Sequence, residues 1–318
     1  MTHRVLIADE WFAEQPLKRL QEHFQVTRNT KGRWYRENEL LDVIGEYDAV
    51  IAGQEPYTTR VLEKARKLKI IARRGIGYDN IDLETARKRH ICITNTPVRA
   101  EHIAVAELTL TLILDLLRRT VFSCEFLRSD TYKSTRLWRR EDFFGRGIHE
   151  IIIGIVGLGN IGREVAKLAN KLGSTVIYSD PYVNEPTLKR VSLKELFERA
   201  DVVTVHVRST DETRGMINYD LFSRMKIGSC FVNTARPDVV KTNDLKLALK
   251  NGVLTAAATD VFDVEPPIDD ELLRMRNVIV TPHIAGFTYT SLDSIDGTCA
   301  DNVIAVLLNE GQPKNRIV

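Results

Sequence analysis

A six-residue turn, Gly157-Leu158-Gly159-Asn160-Ile161-Gly162, lies midway along this 318-residue chain and constrains its fold more than any other feature. An apolar run, Ile151-Ile152-Ile153-Gly154-Ile155-Val156, leads straight into it, and a helical stretch, Arg163–Leu172, leads out. A second strand, Ser174–Ser179, ends on Asp180, 18 residues after the last glycine. Strand, G-x-G-x-x-G, helix, strand and acid is the unit that binds a dinucleotide. The first glycine makes the tight turn, the second admits the pyrophosphate, and the third lets helix and strand pack closely. The helix N-terminus offers N–H groups and partial positive charge to the phosphates. A carboxylate at position 180 accepts from ribose hydroxyls and repels a 2′-phosphate. The residues behind it, Pro181-Tyr182-Val183-Asn184, carry no basic group, so the expected cofactor is NAD.

Such a turn normally opens its domain, yet about 150 residues precede this one. They alternate short apolar strands (Arg4–Ala8, Phe24–Arg28, Ala49–Ala52, Ile70–Ala72, Ile91–Thr94) with amphipathic helices (Gln15–His23, Glu37–Ile44, Thr59–Ala65, Leu83–Arg89). That pattern predicts a parallel sheet with helices on both faces. A long apolar helix, Ala104–Leu117, reads as a domain junction or a subunit contact, and Arg118–Gly147 as a charged segment with poor periodicity. Beyond the glycine unit, strands are expected at Val202–Val207, Cys230–Asn233, Ala256–Asp260 and Val278–Thr281. The closing helix, Ser291–Leu308, has no new sheet to join and should pack back on the first domain. The expectation is two doubly wound α/β domains. A substrate domain, 1–98 plus 288–318, is interrupted by an NAD-binding domain, 99–287, with a cleft between the halves.

An apolar content of 43% and a charged content of 28% suit a globular protein, and a net charge of +2 makes no case for nucleic-acid or membrane partners. Cys92, Cys124, Cys230 and Cys299 are far apart and read as reduced thiols of a cytoplasmic protein, with no metal site implied. The N-terminus enters a strand directly, without the pattern of a signal peptide.

Three residues fall just beyond strand ends, where ligands gather in an open α/β sheet. Arg236 ends Cys230-Phe231-Val232-Asn233-Thr234-Ala235-Arg236, Glu265 precedes Pro266-Pro267, and His283 lies in Thr281-Pro282-His283-Ile284-Ala285-Gly286. A guanidinium grips a carboxylate with two parallel hydrogen bonds. A histidine moves the proton that accompanies hydride transfer, and a nearby carboxylate favours the imidazolium that ketone reduction needs. Singly, these are a surface charge, a solvated turn and a helix cap; together they point to catalysis.

The chain resembles the D-isomer-specific 2-hydroxyacid dehydrogenases, particularly the branch like D-3-phosphoglycerate dehydrogenase without a C-terminal regulatory extension. The resemblance spans Arg74-Gly75-Ile76-Gly77-Tyr78-Asp79-Asn80-Ile81-Asp82, Asn95-Thr96-Pro97, Val105-Ala106-Glu107-Leu108, the glycine turn, Asn233-Thr234-Ala235-Arg236, Asp260-Val261-Phe262 with Glu265-Pro266-Pro267, and Thr281–Gly286. It implies a Rossmann NAD domain inserted into a flavodoxin-like substrate domain, a homodimer, and a small 2-hydroxy or 2-keto acid as substrate. Arg236 becomes the substrate anchor, His283 the acid/base and Glu265 its partner. Asp260 would hold the nicotinamide carboxamide. Val207, Thr234, Ala235, His283 and Gly286 would line the cofactor, with Asn160 and Ile161 donating N–H groups to the pyrophosphate. The Gly75-Ile76-Gly77 loop would meet the substrate carboxylate through its own N–H groups.

The sequence departs from the family pattern in four places. Pro237 follows Arg236 where glycine is usual. Arg208-Ser209 replaces Pro-Leu after His206-Val207. Val98–His102 lacks a glycine and is one residue longer, and Lys241 stands where an acid is common. If two of Arg73, Arg74, Arg99 and Arg208 face the cleft, a substrate with a second anionic group such as phosphate is favoured. Alternatives are a corepressor-like NAD-binding regulator of the same fold, and a formate- or phosphite-type dehydrogenase.

Overall fold

The computed structural model describes residues 2–318. By internal packing the chain divides into two compact units, Met1–Glu101 with Gly286–Val318, and His102–Ala285. The chain therefore passes from one unit to the other twice, three residues and two residues inside the boundaries expected from sequence.

The first unit carries a parallel sheet of β1 (Arg4–Ile7), β2 (Gln25–Arg28), β3 (Ala49–Ala52), β4 (Ile70–Arg73) and β5 (Cys92–Thr94). Their order is β2-β1-β3-β4-β5, the flavodoxin-like arrangement. β1, β3, β4 and β5 are almost wholly buried, which is why they read as uninterrupted apolar runs. The helix Tyr289–Leu308 covers one face, sending Ile295, Cys299, Ala300, Val303 and Leu307 into the core formed by Val5, Ile7, Ile51 and Ile70. Its N-cap is the Thr288 side chain, which accepts from the Ser291 N–H at 3.2 Å.

The second unit carries β6 (Ile152–Val156), β7 (Thr175–Ser179), β8 (Lys189–Arg190), β9 (Val202–Val205), β10 (Cys230–Asn233), β11 (Ala256–Thr259) and β12 (Val278–Val280). The order β8-β7-β6-β9-β10-β11-β12 is that of a Rossmann sheet extended by one strand, and every pairing is parallel. Phe197, Phe222 and Phe231 fill one side, with Phe222 and Phe231 edge-to-face at 5.1 Å. The other side is filled by Leu112, Ile113, Leu116 and Leu117 of the helix Arg99–Arg118, together with Val165, Ala166 and Ala169. That long apolar helix is thus core of the second unit, buried against its sheet. The charged segment after it contains two short helices, Thr120–Arg128 and Asp130–Thr135, and neither has a buried residue.

Register fixes where the chemistry gathers. Ser179, Val156, Val205, Asn233, Thr259 and Val280 stand side by side in one row across the sheet. The next residue on each strand, Asp180, Gly157, His206, Thr234, Asp260 and Thr281, therefore lies along a single edge. The strand order reverses between β6 and β9, and ligands of open α/β sheets bind beyond the carboxyl ends at such a point.

Candidate active site

The glycine turn is built as a dinucleotide cradle. Gly157 has φ +88°, and a Cβ there would lie 2.6 Å from Val207 Cγ1 and 2.8 Å from the His206 carbonyl oxygen. A Cβ on Gly162 would lie 2.2 Å from the Gly157 carbonyl oxygen, so the third glycine lets helix Asn160–Lys171 close on the turn. At Gly159 a Cβ would meet nothing within 4 Å. Gly159 is also the N-cap of that helix and offers no side-chain cap, so the first N–H groups remain available to an anion. Open space over an uncapped helix N-terminus fits a pyrophosphate.

Asp180 organises the same turn. Its Oδ2 accepts from the Leu158 N–H at 2.8 Å, and its Oδ1 accepts from Tyr182 N–H (2.8 Å) and Val183 N–H (3.0 Å). The carboxylate that would face the ribose is therefore held by three backbone donors. The nearby basic side chains are engaged: Arg163 pairs with Glu185, and Arg190 donates to the Pro181 carbonyl at 2.9 Å. On the other side of the turn, burial pushes the His206 imidazole down to about 3, so it adds no positive charge.

Farther along the edge, the His283 Nδ1–H donates to Glu265 Oε2 at 2.7 Å, and Glu265 Oε1 accepts from the Phe262 N–H at 3.1 Å. Both side chains are mostly buried, at 23% and 16% exposure, so the pair is shielded from bulk water yet reachable. Because a carboxylate only accepts, Nδ1 carries a proton and Nε2 is the nitrogen left to exchange one with a ligand. His283 has φ +56°, the left-handed region that a non-glycine residue enters only when its surroundings hold it there.

Asp260 is what holds it. Fully buried at the end of β11, its Oδ1 accepts from Thr281 Oγ1 (2.6 Å) and Ile284 N–H (2.9 Å), and its Oδ2 from Ala285 N–H (2.8 Å). These bonds straddle His283. Burial raises the Asp260 carboxyl, while the three donors oppose that rise. The family resemblance implies only a nicotinamide carboxamide for Asp260; its tethering of the histidine loop has no local signature.

Arg236 follows β10 in extended conformation, φ −140° and ψ 143°, as a residue before proline should be. The Asn233 side chain spans this turn, accepting from Ala235 N–H and donating to the Arg236 carbonyl, both at 3.0 Å. Asn233 was not singled out from sequence, although it begins the motif that carries Arg236. Thr234 is locked from behind by a 2.8 Å hydroxyl bond with Thr109.

In the first unit, Gly75 has φ +135°, but its N–H donates to Thr96 Oγ1 at 2.7 Å. The expected anion nest is thereby left to the N–H groups of Ile76 and Gly77. The arginines divide. Arg74 is committed internally: it pairs with Asp9 at 2.8 Å and with the fully buried Asp296, which also accepts from Ala13 N–H at 2.9 Å. Arg73 is buried and donates to the Arg74 carbonyl, whereas Arg99 and Arg208 are exposed. Arg74 is thus no part of a basic lining, because two aspartates neutralise it inside the fold.

Among known sequences, the D-isomer specific 2-hydroxyacid dehydrogenase NAD-binding domain matches residues 110–285. A glyoxylate reductase from Thermococcus litoralis is 37% identical over 86% of this chain and 85% of its own length. The chain belongs to the D-isomer specific 2-hydroxyacid dehydrogenases. A D-3-phosphoglycerate dehydrogenase from Methanocaldococcus jannaschii is 35% identical over 96% of this chain, which spans 58% of that longer protein. The crystal structure of the TT0316 protein from Thermus thermophilus superposes with a TM-score of 0.89 at 34% identity, covering 99% of this chain and all of that one. As a member of this family the chain is an NAD-dependent dehydrogenase of D-2-hydroxy acids. Among the described residues no helix is long and apolar enough to cross a membrane.

Proposed function

We propose that this dehydrogenase reduces a small 2-keto acid with Arg236, Glu265 and His283 as its catalytic residues. The observation that carries the reading is the 2.7 Å His283–Glu265 bond on the sheet edge that also bears Arg236 and the glycine turn. When bound, NADH supplies the hydride that C2 of the keto acid receives. Arg236 grips the substrate carboxylate and polarises the adjacent carbonyl. His283 delivers a proton from Nε2 to the carbonyl oxygen, and Glu265, fixed on Nδ1, stabilises the imidazolium before transfer and orients the ring afterwards. In the opposite direction the neutral Nε2 accepts the hydroxyl proton. Asp180 selects NAD by accepting from the ribose, and the remaining acceptor position on Asp260 Oδ2 is the one left for the carboxamide.

For the substrate we favour a short 2-keto acid of the glyoxylate type over a phosphorylated one. The commitment of Arg74 to Asp9 and Asp296 removes one of the four candidate cations, two of which a second anionic group would need. NADH oxidation across a panel of 2-keto acids tests this. The expected result is the highest kcat/KM on glyoxylate or a similar phosphate-free acid; a preference for a phosphorylated keto acid would reverse the assignment.

A homodimer and a cytoplasmic location complete the proposal. Leu137, Trp138 and Phe144 are 75%, 54% and 69% exposed, apolar side chains suited to burial against a second copy. The free thiols of Cys92, Cys124, Cys230 and Cys299 accord with a reducing compartment.

A further inference from the structure

Three of the four departures from the family sequence, Ser209, Pro237 and Lys241, lie on two segments that hydrogen bonds join inside the second unit. The Ser209 hydroxyl donates to Asp238 Oδ2, Arg214 Nε donates to the same oxygen at 3.2 Å, and the Gly215 N–H donates to the Asp238 carbonyl at 2.7 Å. The stitching continues beyond. Ile217 N–H donates to Val239 O at 3.1 Å, Lys241 N–H donates to Ile217 O at 2.8 Å, and Ile217 pairs with Val240 as a parallel bridge. The Lys241 stem lies along Gly215, its Cε 3.3 Å from where a Cβ would be. Residues 206–217, which follow β9, are thus fastened to the turn 237–241, which follows Arg236.

At its other end the same loop presses on the dinucleotide turn, through Val207 Cγ1 and the His206 carbonyl against Gly157. Between the two ends the loop is tied to itself: Thr213 Oγ1 donates to the Arg208 carbonyl at 2.6 Å, and Thr210 N–H donates to Thr213 Oγ1 at 2.8 Å. A packed, hydrogen-bonded path therefore runs from the glycine turn to a residue two positions past Arg236. Pro237 sets its far end. The ring fixes φ at the first position of the 3₁₀ turn Pro237–Val239 and forces Arg236 to be extended, so Asp238 is presented toward Ser209. Leucine at 209 would have no donor for Asp238, and glycine at 237 would leave the turn free to swing.

We propose that Asp238 is a positioning residue for Arg236, and that the Ser209–Asp238 bond couples the dinucleotide loop to the substrate-carboxylate anchor. The inference rests on the reading of Arg236 as that anchor. A loop seated by the dinucleotide fixes the turn, and the turn fixes where the guanidinium projects, so the keto acid is captured best after NADH.

The test compares Ser209→Ala, Asp238→Ala, the double variant, Ser209→Thr and Arg236→Lys, using the most active 2-keto acid of the panel. Steady-state kinetics are read beside NADH affinity by fluorescence titration and thermal unfolding. Each single alanine variant should raise the keto-acid KM on the order of tenfold, since small misplacements of a substrate clamp are amplified in this way. The change in kcat should be smaller, with NADH affinity and Tm near wild type. The double variant should be no worse than Asp238→Ala, which already removes the Ser209 bond along with that of Arg214, and Ser209→Thr should keep capture near wild type. An unchanged KM in both singles, additive effects, or a KM rise matched by equal losses of NADH affinity and Tm would overturn the coupling. Intact capture in Arg236→Lys would instead remove the anchor itself, and with it the proposal. Failed capture in Arg236→Lys beside wild-type KM in the other variants would sink the coupling alone.

Discussion

His283 shows how far the proposed site depends on residues that hold another in place. Its left-handed backbone is held by Asp260, and its ring by Glu265, each from a strand or loop distant in sequence. Arg236, Glu265 and His283, the catalytic residues we propose, could be picked out as candidates because each stands in a short motif just past a strand. The tethering by Asp260 could not, because an aspartate that binds a ligand and one that binds a loop have the same neighbours in sequence. Glu55 is a second such case. It is fully buried, with Oε2 accepting from the Gly53 N–H at 2.8 Å and Oε1 without a hydrogen-bond partner among the described residues. Burial pushes its carboxyl up to about 7, from an ordinary 4.5. The folded chain then keeps this proton after the unfolded chain has released it. The resulting penalty is absent below about pH 4.5, grows as pH rises to about 7, and is constant above at roughly 3 kcal/mol. Glu55→Gln removes the titration, so the Tm of the variant relative to wild type should be distinctly higher at pH 8 than at pH 5. Equal differences at the two pH values would contradict this account.

At the scale of elements, the strands and most helices follow from apolar runs and amphipathic periodicity. The stretch after the long apolar helix does not, because its helices are held by aromatic rings packing on one another instead of on a sheet. Phe126 stacks edge-on to Phe143 at 5.1 Å and lies 5.6 Å from Tyr132, and Trp138 lies 6.0 Å from Phe143. Residues from four short pieces meet there, a pattern with no period to detect. The same segment exposes Leu137, Trp138 and Phe144. If a second copy covers it, wild-type protein should sediment at the dimer mass at micromolar concentration, and Trp138→Glu should shift it toward monomer by placing a charge in an apolar contact. A wild-type monomer at those concentrations would refute the dimer. The closing helix was legible as an element, but the Asp296–Arg74–Asp9 tie that anchors it was not, since its members lie 222 and 65 positions apart.

For the whole molecule, two repeated βα patterns dictate two parallel sheets, and the mid-chain glycine turn dictates which is the Rossmann sheet. The strand order places Gly157, Asp180, Arg236, Asp260 and His283 on one edge of that sheet although they span more than a hundred residues. The identity of the keto acid was not legible, because it depends on which arginines the fold leaves to a ligand, and Arg74 proved to be taken. On our proposal this edge passes a proton through His283 while NADH reduces a keto acid. The most direct measurement is NADH oxidation with saturating keto acid by wild type and His283→Ala, alongside NADH affinity. Loss of one acid/base group should lower kcat on the order of 10²–10⁴-fold with NADH affinity near wild type. Turnover within a few-fold of wild type would contradict the assignment of the proton to His283.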